Sequence, residues 1–101
     1  MYICFAEYKI MPGEIENYRM KVEELRKAEA RSFQLYEGTD QPGLFVEIWH
    51  ADNEEEAERV KEERLDERSP WSALSQWISG GTAKLHVWTF KPVLPKATLE
   101  S

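Results

Sequence analysis

The chemistry available to this chain rests on few groups, because its 101 residues hold two histidines, one cysteine and four tryptophans. His50 and His86 have the side chain whose ordinary titration range suits a general base or an axial ligand. Glu7, Glu47 and His86 fall in three stretches rich in β-branched and aromatic residues, and if those stretches are neighbouring strands a carboxylate and imidazole cluster could form. Tyr8 offers a phenol that can donate a hydrogen bond to a bound quinone or phenol. Trp49, Trp71, Trp77 and Trp88 could wall a pocket for a flat substrate. Each has a plainer reading: capped or solvent-facing histidines, a tyrosine at the edge of a core, and indoles that anchor a core and an interface. Nucleophilic catalysis finds no support, since Cys4 lies in a strand expected to be covered on both sides and no Ser and His arrangement has a recognisable spacing. Gly80-Gly81 follows a helix instead of opening one, so it is not a phosphate loop.

The elements that must position these groups centre on Gly43 to His50, a run read as a strand, entered through Pro42-Gly43 and left through Asp52 or Asn53 as the cap of a helix. Tyr2 to Ile10 is apolar on both parities, which predicts a strand covered on both faces. After Met11-Pro12-Gly13, the recurrence of Ile15, Tyr18, Val22 and Leu25 predicts an amphipathic helix to about Ala30. Arg31 to Glu37 reads as a second strand, with Phe33 and Leu35 on one face. Glu54 to Arg68 reads as a helix whose apolar contacts are Ala57, Val60 and Leu65; its eight acids and four bases mark a solvated face with weak exposed pairs. Ser69-Pro70 starts a further helical segment with Trp71, Leu74 and Ile78 on its apolar face. Lys84 to Lys91 is the last strand, with Leu85 and Val87 on one parity and His86, Trp88 and Phe90 on the other. Residues 92–101 read as an extended arm.

The order β, α, β, β, α, β predicts a ferredoxin-like α+β sandwich, a four-stranded antiparallel sheet with both helices on one face. Residues 1–101 form a single domain, able to bury roughly 65 % of its unfolded surface. The first and last strands carry large apolar groups on both parities, so a second copy of the chain is expected to cover the bare face around a two-fold axis. A net charge of −6 and a pI near 5.0 argue against nucleic acid and anionic membranes, which are bound through clustered Lys and Arg. One cysteine rules out an internal disulfide and a Cys-x-x-Cys metal-transfer loop. The start of the chain lacks the basic and apolar runs of a secretory signal, and a cytoplasmic protein is expected.

Pro12-Gly13 after the first strand, the strand ending Glu47-Ile48-Trp49 before a capped helix, Ser69-Pro70-Trp71 opening the last helical segment, and Lys91-Pro92-Val93 closing the last strand resemble the antibiotic biosynthesis monooxygenase family. The resemblance spans about residues 2–93. It implies a homodimeric α+β barrel, and for some members the oxidation of an aromatic substrate without metal or organic cofactor, so none is expected. Tyr8 stands where the family places a pocket residue. If the chain is such an oxygenase, Tyr8 and His86 are the candidate catalytic groups, one or the other stabilising a substrate oxyanion, and Trp71 is the candidate substrate-binding wall. The haem-degrading branch keeps Asn, Trp and His at positions that here are Tyr8, Leu65 and Ser75, so haem binding or degradation is an alternative resting on fold alone. The other alternative is a non-catalytic dimer that binds a small ligand or uses every aromatic for packing.

Overall fold

The computed structural model describes residues 1–94. Its elements are β1 (Tyr2–Lys9), α1 (Ile15–Ala28), β2 (Phe33–Glu37), β3 (Leu44–Ala51), α2 (Glu54–Leu65) and β4 (His86–Phe90). Short 3₁₀ segments lie at Pro12–Glu14, Pro70–Trp77 and Gly81–Lys84. The sheet has the order β2-β3-β1-β4, every pair antiparallel. That is the ferredoxin-like arrangement expected. Of the arm expected at 92–101, Pro92, Val93 and Leu94 are exposed beyond β4, and the rest lies outside the described residues.

Strand parity sorts the side chains into two faces. Cys4, Ala6, Tyr8, Phe45, Glu47, Trp49 and Val87 are buried beneath the helices. Ile3, Phe5, Val46, Ile48, Trp88 and Phe90 share the other face, where the register sets Phe5 opposite both Ile48 and Trp88, and Ile3 opposite Phe90. Phe5 lies 5.9 Å from Trp88 and 6.0 Å from Phe90, centroid to centroid. Trp88 and Phe90 remain 44 % and 49 % exposed, an apolar face without cover from this chain.

Two helical expectations change in detail. Asn53 is the cap of α2, its Oδ1 accepting from the Glu56 N–H at 2.8 Å. The helix stops at Leu65, and its buried residues are Ala57, Val60 and Arg64. Leu65, expected inside, is 52 % exposed, and Arg64 takes its place because a buried carboxylate waits on β3. Pro70–Trp77 is 3₁₀ instead of α-helical, opened by Ser69, whose Oγ accepts from the Trp71 N–H at 3.2 Å. Ile78 then bridges to Ile10, while the Met11 N–H donates to the Trp77 carbonyl and the Ser79 N–H to the Lys9 carbonyl. These bonds pin the segment to the end of β1. Gly80 and Gly81, at φ of 86° and 72°, take the left-handed turn that sends the chain into β4.

Candidate functional site

The most unusual feature under the helices is a charge. Glu47 alternates with Phe45 and Trp49 on the inward face of β3, so its carboxylate is carried into the core by the strand itself. Arg64 reaches it from α2 in a two-point pair, Nε to Oε1 at 2.7 Å and Nη2 to Oε2 at 2.8 Å. Two more donors finish the carboxylate: Trp49 Nε1 at 2.8 Å and the Tyr8 hydroxyl at 2.5 Å. Since Tyr8 gives its proton to Glu47, the Tyr18 hydroxyl donates to Tyr8 at 2.7 Å. Glu47 and Arg64 retain 1 % and 3 % of their surface, so the pair sits in a low dielectric, where every valence left unsatisfied is costly.

The titration behaviour follows from that burial. Desolvation, and then the Glu47 charge, push the Tyr8 phenol well above its ordinary value, so it stays a neutral donor. Burial opposes the Arg64 cation, but the Glu47 carboxylate more than offsets it and holds the guanidinium protonated. Burial, with Glu47 adding to it, raises the Cys4 thiol to about 11, which leaves it unreactive.

A second carboxylate serves the other indole. Glu29 accepts from Trp71 Nε1 at 3.0 Å and from Arg31 Nε at 2.7 Å, and Arg31 continues to Glu63 at 2.7 Å. Trp49 and Trp71 meet edge to face at 5.0 Å, with Phe33 stacked 4.5 Å from Trp49. Arg31 lies 5.1 Å over the Trp49 ring, and Arg64 lies 5.8 Å over Trp71 and 6.0 Å over Tyr8. Burial would raise the Glu29 carboxyl, yet hydrogen bonds from Arg31 and Trp71 bring it down to about 2. A carboxylate depressed by folding contributes stability that is present above its unfolded titration range and is lost as pH falls toward 2. Acid titration of Glu29→Gln should therefore show a shallower loss of stability below about pH 5 than the parent, read by urea melts at stepped pH. An unchanged slope would mean that Glu29 carries none of it.

Of the residues singled out from sequence, Tyr8 and Trp71 come together around Arg64. His86 does not join them. It projects from the opposite face of the sheet, exposed and stacked on Trp88 at 5.6 Å. Glu7 is its cross-strand neighbour on that face, whereas Glu47 points the other way, so the three do not converge. Tyr8 and His86 both border an open hollow of about 350 Å³ with Glu7, Lys9 and Lys84, but the Tyr8 hydroxyl is turned inward to Glu47. His50 is half-buried, its Nε2 2.6 Å from Gln34 Oε1. Among the described residues no group of three or more His, Cys, Asp and Glu is placed to hold a metal ion, and no helix is long and apolar enough to cross a membrane.

Sequence reasoning missed Arg64 and Tyr18. The signal for Arg64 was present: a charged residue at the inward parity of β3 demands a counter-charge, and Arg64 continues the steps from Ala57 and Val60. Arg64 also forms part of the wall of a cleft of about 640 Å³ between the end of α2 and the Pro70–Trp77 segment, together with Asp66, Arg68, Ser75, Thr82 and Leu85. Its Nη1 is a buried nitrogen with no hydrogen-bond partner among the described residues.

A four-stranded antiparallel sheet in this order with two helices on one face is the fold of solved structures described as antibiotic biosynthesis monooxygenases and NIPSNAP proteins. The chain superimposes on a candidate antibiotic biosynthesis monooxygenase from Deinococcus radiodurans with a TM-score of 0.68 at 16 % identity, over 94 % of this chain and 95 % of that one. A candidate antibiotic biosynthesis monooxygenase from Nitrosomonas europaea gives 0.66 at 15 %, over 93 % and 100 %. A NIPSNAP family protein from Agrobacterium tumefaciens gives 0.65 at 15 %, over 91 % and 92 %. No family model and no curated protein matches the chain. The likeness is one of fold, shared between proteins with two different names.

Proposed function

We propose that the protein works as a homodimer through its bare sheet face, and that each protomer oxidises a small aromatic of the quinol type, with no cofactor, in the cleft that Arg64 lines. The observation that carries this reading is the Arg64–Glu47 pair, an ion pair held in an aromatic interior, with one guanidinium nitrogen buried and unpartnered among the described residues on a side chain that lines a cleft. Such a pair is weak support for stability and a recurrent feature of sites. In this reading Trp71 does not line the cleft: it is buried behind it, its ring against the Arg64 guanidinium. Tyr8 is a positioning residue, acting through Glu47 instead of meeting the substrate. His86 belongs to the dimer face and has no part in the reaction.

The chemistry is the substrate's own. A ring carbon made electron-rich as its oxygen substituent loses a proton to water passes an electron to O₂. The resulting pair combines to a hydroperoxide, and loss of water leaves a carbonyl. One O₂ is consumed, one of its oxygens stays in the product, the other leaves as water, and the substrate supplies all four electrons. Arg64 favours the step by donating a hydrogen bond from Nη1 to the substrate oxygen, its charge being already matched by Glu47.

Oxygen uptake with a panel of naphthols, quinols and anthrones tests this, with a haem titration followed by absorbance alongside. The expected result is uptake of one O₂ per substrate in chelator-treated buffer. No uptake across the panel would overturn the oxidation. The non-catalytic dimer would then be favoured by the close contact of Phe33, Trp49 and Trp71, which fills the space between sheet and helices.

A further inference from the structure

We infer that the cleft at the end of α2 takes a neutral ligand through an oxygen that accepts a hydrogen bond from Arg64 Nη1, and that it discriminates against carboxylates. The inference rests on the site proposed above for the ligand being a substrate, but not for its binding.

The geometry of the guanidinium sets the first part. Arg64 meets Glu47 through Nε and Nη2, which occupy one edge of the planar group, so Nη1 stands on the far edge, directed away from the carboxylate. Arg64 retains 3 % of its surface, Nη1 has no partner among the described residues, and the same side chain lines the cleft. A buried N–H without an acceptor is costly, so an oxygen delivered there is bound with more gain than one offered to an already satisfied donor.

Charge sets the second part. The Arg64 cation is matched one for one by Glu47, whose oxygens also take the Tyr8 and Trp49 donors. The site therefore lacks an acceptor and not a counter-ion. A ligand carboxylate would bring a second negative charge to a cation already matched, and Asp66 and Glu67 line the same cleft. Arg68, the other cation there, is 88 % exposed and turned to Asp66 at 3.1 Å, so it does not change the balance. Chain charge points the same way, at −6. A ketone, quinone or amide carbonyl supplies the acceptor at no cost in charge, and Leu85 gives its ring an apolar wall.

The test is titration of the full chain with three bicyclic probes of similar size, 1-tetralone, tetralin and 1-naphthoate, followed by amide chemical shifts. The expected result is that 1-tetralone binds about tenfold more tightly than either of the others. Ser75→Phe, which fills the cleft without touching Arg64 or Glu47, should weaken 1-tetralone by about as much. Equal binding of tetralin, equal or tighter binding of 1-naphthoate, no binding of 1-tetralone at millimolar concentration, or indifference to Ser75→Phe would each overturn the inference. Oxygen uptake measured on the same samples separates the two readings. Selective binding of 1-tetralone by a protein inert toward the whole oxidation panel supports this inference and overturns the oxidation; uptake without the probe selectivity does the reverse.

Discussion

Replacing Arg64 by methionine is expected to destabilise the fold by about 3–5 kcal/mol, and replacing Glu47 by glutamine in the same chain to restore most of that loss. The first half follows from burial. Methionine removes the cation and leaves the Glu47 carboxylate, 1 % exposed, with only the Tyr8 and Trp49 donors to hold a full charge in the core. The second half follows from the same donors. A glutamine at position 47 keeps a carbonyl oxygen for Trp49 Nε1 and an amide that can donate to the Tyr8 oxygen; the Tyr8 hydroxyl then turns to Tyr18, so the buried charge is removed at the cost of one hydroxyl hydrogen, that of Tyr18, left without its acceptor. The coupling between the two substitutions, read by urea unfolding of the four chains, should reach about 2–3 kcal/mol. A single Arg64→Met chain within about 1 kcal/mol of the parent would show that the pair is hydrated in solution. The double variant has a second use: it folds like the parent but lacks Nη1, so it should neither bind 1-tetralone selectively nor consume oxygen. Stability and site chemistry are thereby measured apart.

The fold was legible because parity and punctuation do not depend on long-range information. The four strands, the Asn53 cap, the Ser69-Pro70 break and the left-handed Gly80 and Gly81 that follow it all lie within a few residues of their signals. What was not legible turned on single-residue steps. Leu65 and Arg64 are about 100° apart around α2, and hydrophobicity chooses Leu65 for the core; the choice reverses only when Glu47, 17 residues earlier, is known to point inward. The 3₁₀ form of Pro70–Trp77 depends on its ties to β1 across the molecule. The parity of β4 was ambiguous for a related reason. Its bulkier side, His86, Trp88 and Phe90, faces away from the helices, while the smaller Leu85 and Val87 pack beneath them. A sequence reading that sends the largest apolar groups to the core would put His86 beside Tyr8. The structure sets them on opposite faces.

That exposed parity carries the second large expectation. The parent should sediment at micromolar concentration with twice the 11.9 kDa chain mass, and Trp88→Glu should sediment as a single chain. Two strands about 26 Å long and two about 17 Å long, spaced about 4.8 Å apart, give a flat footprint of roughly 400 Å². Side-chain relief raises the accessible area toward the ~800 Å² per partner of a stable interface. Phe5, Trp88 and Phe90 form one aromatic cluster on this face, with Ile3, Val46 and Ile48 around it, and nothing in the described chain packs over them. In a two-fold assembly one substitution acts twice, so Trp88→Glu removes two indoles and buries two carboxylates of like sign, enough to raise the dissociation constant by about a thousandfold or more. Trp88 is 44 % exposed in the single chain, so its loss should spare the protomer's own core. Leu65→Glu, at a residue 52 % exposed on the helix side, is the control that should leave the dimer intact. The melting temperature of the parent, and not of Trp88→Glu, should rise with protein concentration. A parent that stays a single folded chain, or a Trp88→Glu chain that pairs as tightly as the parent, would mean that the aromatic face meets water or another partner, and the dimeric reading would fall while the Arg64 cleft, on the opposite side of the sheet, would stand.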